Sequence, residues 1–241
     1  MINKYIIANL KMNLTAKEIG NYLNVINDKV FISNLVICPT NIYIPYFLNH
    51  GYDVGIQNVY FENDGSYTGE TSPLQAKSIG VKYAIIGHSD RRLMGEDDQL
   101  INKKICKALE NKLKVIFCIG ETLEEREMFK TDKVLKQQII RGLRGLNEKQ
   151  LAGVLIAYEP VWAVGTKILP TSKEISDCIN FIKDICKTNF KITPVILYGG
   201  SINENNIKML NKIDNVDGFL VGSSASDALK LSKIIEVIDN G

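Results

Sequence analysis

The sequence predicts an α/β protein, a single (β/α)8 barrel of eight parallel strands and outer helices spanning residues 1–241. Three observations carry this. Short apolar runs recur eight times along the chain, and they are continuous rather than alternating, as in strands covered on both faces. Each run is followed by a segment with helical spacing. No linker rich in proline, glycine or serine divides the series. A doubly wound open sheet is the alternative that the pattern alone leaves open.

In chain order the strand runs are residues 5–8, 35–38, 54–56, 83–86, 115–118, 154–157, 195–197 and 219–221. Four helix starts carry a capping box, in which a hydroxyl residue and a Glu or Gln three positions on satisfy each other's free N–H groups. They are Thr15 with Glu18, Ser72 with Gln75, Thr122 with Glu125, and Thr171 with Glu174. Pro73 adds the residue favoured at a first helical position. The clearest buried helix face is Ile175, Cys178, Ile179, Ile182, Ile185 and Cys186.

With 45% apolar residues, 241 positions suffice for one large core. A net charge of +2 with no basic block or acidic tail argues against nucleic acid as a partner. No apolar run approaches the roughly 18 residues of a membrane span. Residues 1–5 enter a strand pattern with no apolar signal core, so a cytoplasmic location is expected. The five cysteines, Cys38, Cys106, Cys118, Cys178 and Cys186, include no C-x-x-C pair and are expected to be reduced thiols. No His, Asp or Glu cluster has metal-ligand spacing, so no metal is expected.

Chemistry in such barrels sits just beyond the strand C-termini. Those positions hold Asn9 and Lys11, Gln57 and Asn58, His88, Glu121, Glu159, Gly199-Gly200-Ser201 and Gly222-Ser223. Separate strands thus deliver an ammonium, an imidazole, a carboxylate and two Gly/Ser loops to one rim, a set suited to proton transfer on a small anion. Glu159 ends a buried run and is followed by Pro160, the only tryptophan (Trp162), and a short loop containing Gly165. A carboxylate on a rigid strand end beside a loop able to cover it suits a general base working out of water. The Gly/Ser loops offer backbone N–H groups and close approach to a phosphate. Ser89 and Asp90 after His88 suggest a helical first turn whose N–H groups would disfavour an imidazolium.

Eight ordered motifs now resemble one family. They are Ala8-Asn9-Leu10-Lys11-Met12-Asn13, Gln57-Asn58, Tyr67-Thr68-Gly69-Glu70, Gly87-His88-Ser89-Asp90-Arg91-Arg92, residues 118–126, residues 158–166, Tyr198-Gly199-Gly200-Ser201, and residues 216–222. The chain is similar to the triosephosphate isomerases, which implies a TIM barrel and cofactor-free interconversion of dihydroxyacetone phosphate and D-glyceraldehyde 3-phosphate. The resemblance assigns Glu159 as the base, His88 as a neutral electrophile and Lys11 as the charge stabiliser, with Asn9 orienting the substrate oxygens; a neutral imidazole partnering a glutamate base in this enzyme is a known worked case. Phosphate and substrate contacts fall to Gly165, Gly199, Gly200, Ser201, Gly222 and Ser223. It further implies a homodimer through residues 58–71, with Thr68 reaching the other active site. Glu121 and Arg126 are expected in structural rim contacts, Cys118 as a packed thiol behind the site, Trp162 as a hinge anchor, and His50 without a chemical role.

The chain departs from the family pattern at Leu10, where Trp is usual, and at Asp90, where Glu is usual. The shorter Asp90 is expected to reach Lys11 over a longer distance or through water. Ser223 replaces a glycine, and Lys167 to Pro170 give the second loop hinge a stiffer start. A phosphate-binding epimerase barrel would need more than the two histidines present. A catalytically dead scaffold would have no use for Lys11, His88 and Glu159 together.

Overall fold

The computed structural model describes residues 3–27, 31–165 and 168–240. Eight parallel strands close into a barrel in sequence order: β1 (Tyr5–Asn9), β2 (Asn34–Cys38), β3 (Asp53–Ile56), β4 (Tyr83–Ile86), β5 (Lys114–Ile119), β6 (Val154–Tyr158), β7 (Val195–Tyr198) and β8 (Gly218–Val221). Closure comes from β1 pairing with β8, Tyr5 against Gly218 and Ala8 against Val221. The open-sheet alternative is thereby excluded. Several strands run one residue past their apolar run, because Asn9 still pairs with Cys38 and Tyr158 with Tyr198.

The continuous apolar runs have a direct structural reason. Successive strand residues face alternately into the barrel and out toward the helices, and both sides are dry. Ile7, Val36, Ile85, Ile116, Leu155, Leu197 and Leu220 fill the interior, whereas Ile6, Ile37, Ile86, Phe117, Ile156 and Phe219 pack in the outer layer. The helix Ser172–Phe190 buries Ile175, Ile179, Ile182, Ile185 and Cys186, the expected face, with Cys178 partly buried. All four predicted capping boxes form, and a fifth joins Asn147 to Gln150. Helical segments are uneven: those after β2, β3 and β7 are only Ile44–Phe47, Pro73–Ser78 and Ile207–Leu210.

Residues 58–71 form neither helix nor strand, as expected. The loop is closed at its base by Tyr60 N–H donating to Thr71 O at 2.9 Å and packed by Tyr60 against Phe61 and Tyr67. Its tip, residues 64–70, is exposed.

Candidate active site

The strand C-termini bring Asn9, Lys11, His88, Glu159, Gly165, Gly200, Ser201, Gly222 and Ser223 around one cavity of ≈ 230 Å³. Asn13, Val164, Ile202 and Leu220 complete the lining; none was singled out from sequence. A larger groove of ≈ 1240 Å³ opens on the opposite side of the barrel among Lys4, Asp217 and Glu236. Size does not select it, since no histidine lines it and its acids and lysines are intermixed.

His88 and Glu159 meet directly. His88 Nε2 lies 3.2 Å from Glu159 Oε1, and both residues are buried. The imidazole is also the N-cap of the short helix Ser89–Leu93, its Nδ1 accepting the Asp90 N–H at 3.1 Å. An Nδ1 that accepts carries no proton, so the ring proton sits on Nε2 and faces Glu159. Asp90 Oδ2 is 3.4 Å from the same Nδ1, beyond ordinary hydrogen-bond length, and 3.1 Å from Lys11 Nζ. The backbone N–H therefore decides the tautomer, and the carboxylate belongs with the lysine. The expectation of a water-mediated Lys11–Asp90 bridge is corrected: the two side chains meet directly at 3.1 Å.

Lys11 stands in a left-handed conformation, φ 52, two residues after the end of β1. Its N–H donates to Asn9 Oδ1 at 3.2 Å, and its carbonyl accepts from Gln57 Nε2 at 2.8 Å and Thr40 Oγ1 at 2.9 Å.

Glu159 is held by what its neighbours lack. A Cβ on Gly120 would run into the Glu159 carbonyl, and one on Gly199 would come within 2.7 Å of Glu159 Cγ. Gly199 does not line the cavity, so its missing side chain makes room for the glutamate. A Cβ on Gly200 would strike the Tyr198 hydroxyl. Behind the glutamate, burial, with help from the nearby Glu159 charge, pushes the Cys118 thiol well above its ordinary range. That makes Cys118 a packing group.

The loop after Glu159 is anchored at both ends. Trp162 Nε1 donates to the fully buried Glu121 carboxylate at 2.7 Å, and Tyr158 OH donates to the same carboxylate at 3.3 Å. Glu121 is therefore a structural contact at the rim, as expected, and is fully buried there. Burial raises its pKa despite the Trp162 and Tyr158 hydrogen bonds. Arg126 lies over the Trp162 ring, 4.0 Å from its centroid, and pairs with Glu174 at the start of Ser172–Phe190. Between these anchors Gly165 has φ 68, and Ser201 Oγ donates to Ala163 O at 2.6 Å. Thr166 and Lys167, with the hinge reading placed on Lys167, lie outside the described residues.

No group of three or more potential metal ligands occurs among the described residues. Likewise, no described helix is long and apolar enough to cross a membrane. Comparison with known proteins agrees with the rim's chemistry. A family model described as triosephosphate isomerase matches residues 4–238. A triosephosphate isomerase of Thermodesulfovibrio yellowstonii is 42% identical across 98% of this chain and 100% of its own length. Those of Clostridium botulinum Type A and Type F are 38% and 39% identical, each across 95% of this chain and 97% of their own. The chain belongs to the triosephosphate isomerase family.

Proposed function

We propose that this chain interconverts dihydroxyacetone phosphate and D-glyceraldehyde 3-phosphate through an enediolate, with no metal or cofactor. The observation that carries the reading is a buried carboxylate, an imidazole with its proton on Nε2 and an ammonium around one small cavity. Glu159 takes a proton from one substrate carbon and returns it to the next. His88 donates from Nε2 to the oxygens as charge builds on them, a contribution that grows toward the transition state. Lys11 offsets the negative charge, and Asn9 orients the oxygens. Backbone N–H groups of Gly165, Gly200, Ser201, Gly222 and Ser223 hold the phosphate, while Gly199 keeps the space that Glu159 occupies.

A coupled assay with glyceraldehyde 3-phosphate tests this. The wild type turns the substrate over, and Glu159→Ala lowers kcat about 10²–10⁴-fold. An inactive wild type ends the functional reading, and an unimpaired variant ends the base assignment alone.

The chain acts as a cytoplasmic homodimer in this reading, with Thr68 entering the partner's site. Support comes from the exposed tip of the 58–71 loop, its aromatic packing, and Met12, 89% exposed beside Lys11. The loop's start is fixed by Lys104 Nζ, which donates to Asn58 Oδ1 at 3.0 Å and to Glu96 at 2.6 Å. Light scattering giving a monomer mass at assay concentration would reject the dimer.

A further inference from the structure

We infer that Asn111, at the end of the helix Asp98–Glu110, is a positioning residue for an active site other than its own. It fixes the foot of the 58–71 loop, and with it the place that Thr68 takes in the partner's site; this rests on the homodimer proposed above. Residues 64–70 are exposed and form neither helix nor strand. Ordering such a segment on assembly costs conformational entropy, and a segment already held in shape avoids that cost.

The tip is held at both feet. Asn63 precedes it, and its Oδ1 accepts from Asn111 Nδ2 at 2.8 Å. The same amide nitrogen donates to Lys107 O at 2.9 Å, the carbonyl that also takes the Asn111 backbone N–H, so the last turn of the helix aims the asparagine. Lys103 on that helix adds a weaker grip, its Nζ 5.4 Å from the Phe61 ring centroid. Thr71 follows the tip; its carbonyl takes the Tyr60 N–H at 2.9 Å, and its Oγ1 accepts from Asn41 Nδ2 at 3.2 Å. Between the feet the Tyr67 ring packs on Tyr60, and a Cβ on Gly65 would come within 2.7 Å of it. The tip is therefore shaped within its own subunit. Asn111 itself stands far from that subunit's chemistry: it leads into the start of β5, at the opposite end from the cavity, and does not line it. What Asn111 controls is the loop.

Hybrid dimers isolated through two different affinity tags test this, assayed at a concentration where the subunits stay paired. In the first hybrid a subunit carrying both Glu159→Ala and Asn111→Ala pairs with a wild-type subunit. Its one working site is the wild-type site, served by the loosened loop. In the second, a Glu159→Ala subunit pairs with an Asn111→Ala subunit, so the working site is served by an intact loop. Both hybrids hold the same two substitutions, and only their distribution differs. Loss of one neutral hydrogen bond corresponds to roughly a 2- to 10-fold effect, so kcat/KM of the first hybrid should lie about fivefold below the second. Equal values, or a loss in the second alone, overturn the inference and leave the dimer intact. Differently tagged wild-type subunits that never pair overturn the dimer and this inference with it. A wild-type dimer inactive on glyceraldehyde 3-phosphate ends the functional reading and the inference together. If Asn111→Ala does not fold or pair, Asn63→Ala removes the other partner of the same bond and is distributed and read in the same way.

Discussion

The two ends of the same eight strands treat polar groups in opposite ways. At the C-terminal rim Glu159, His88, Asn9 and Glu121 are all buried, between 0% and 5% exposed, and each has a polar partner within the protein: His88 and Glu159 meet each other, Asn9 takes the Lys11 N–H, and Glu121 takes Trp162 Nε1. At the N-terminal rim Lys82 pairs with Asp53 and Lys183 with Asp217, with side chains 22–61% exposed. Burying a polar group costs free energy unless its partners are in place. The first rim accepts that cost and adds a strained lysine, whereas the second leaves its charges in water. The difference teaches where the barrel can afford chemistry: only the end whose side chains hold each other in fixed, dry geometry.

The sharpest test applies one steric insult to both ends. A Cβ on Gly120 would run into the Glu159 backbone, and a Cβ on Gly218, at the start of β8, into the Tyr5 backbone. Each alanine substitution should destabilise by about 1–3 kcal/mol, since backbone must shift. Only Gly120→Ala moves Glu159, so only it should also lower kcat, by about 100-fold for a misplacement near 1 Å. Chemical denaturation paired with kinetics on the folded fraction reads both. A kcat loss in Gly218→Ala as large as in Gly120→Ala would erase the distinction between the rims.

Much of this was legible in the sequence because its causes are local. Strand runs, the face of Ser172–Phe190 and four capping boxes are set by neighbours within one or two turns. The Asn147–Gln150 box, capped by an amide in place of a hydroxyl, carries the same local signature. What escaped depends on residues far apart in the chain. The grip of Gln57 on Lys11 spans 46 positions, and the Arg126 contact with Trp162 links two different crossovers. Side-chain length alone misjudged Asp90, because its reach to Lys11 depends on how the ends of β1 and β4 are brought together. Glycine at 199 read as phosphate room, yet the group needing that space is Glu159.

A second, smaller effect concerns the buried carboxylate beneath the loop. Burial raises the pKa of Glu121 above its ordinary 4.5, so its ionised form is disfavoured by folding. The folded state then holds its proton more tightly than the unfolded chain does. This contribution is fully present below pH 4.5 and is lost as pH rises through the raised value. Glu121→Gln keeps an acceptor for Trp162 Nε1 and can donate to Tyr158 OH, but it has nothing to ionise. Its melting temperature relative to wild type should therefore climb as pH is raised from 4.5 and level off above the raised pKa. A difference that stays flat over that range would mean the carboxylate is as well solvated as its counterparts at the other rim.

The smallest effect belongs to that other rim. Lys82 Nζ lies 2.6 Å from Asp53 Oδ1, a good distance, but the lysine is 61% exposed and the aspartate 33%. Water already solvates both charges, and fixing a long side chain costs conformational entropy, so such pairs typically contribute only about 0.2–1 kcal/mol. Lys82→Ala should therefore lower unfolding free energy by less than about 1 kcal/mol, and by still less in 1 M salt, where screening acts over about 3 Å. Turnover should not change, because the pair sits at the far end of β3 and β4 from His88. Urea titrations at low and high salt, with kinetics alongside, measure this. A loss above about 2 kcal/mol that salt leaves untouched would show a desolvated, structurally demanding pair. The contrast between the barrel's ends would then rest on what the groups do, no longer on how they are solvated.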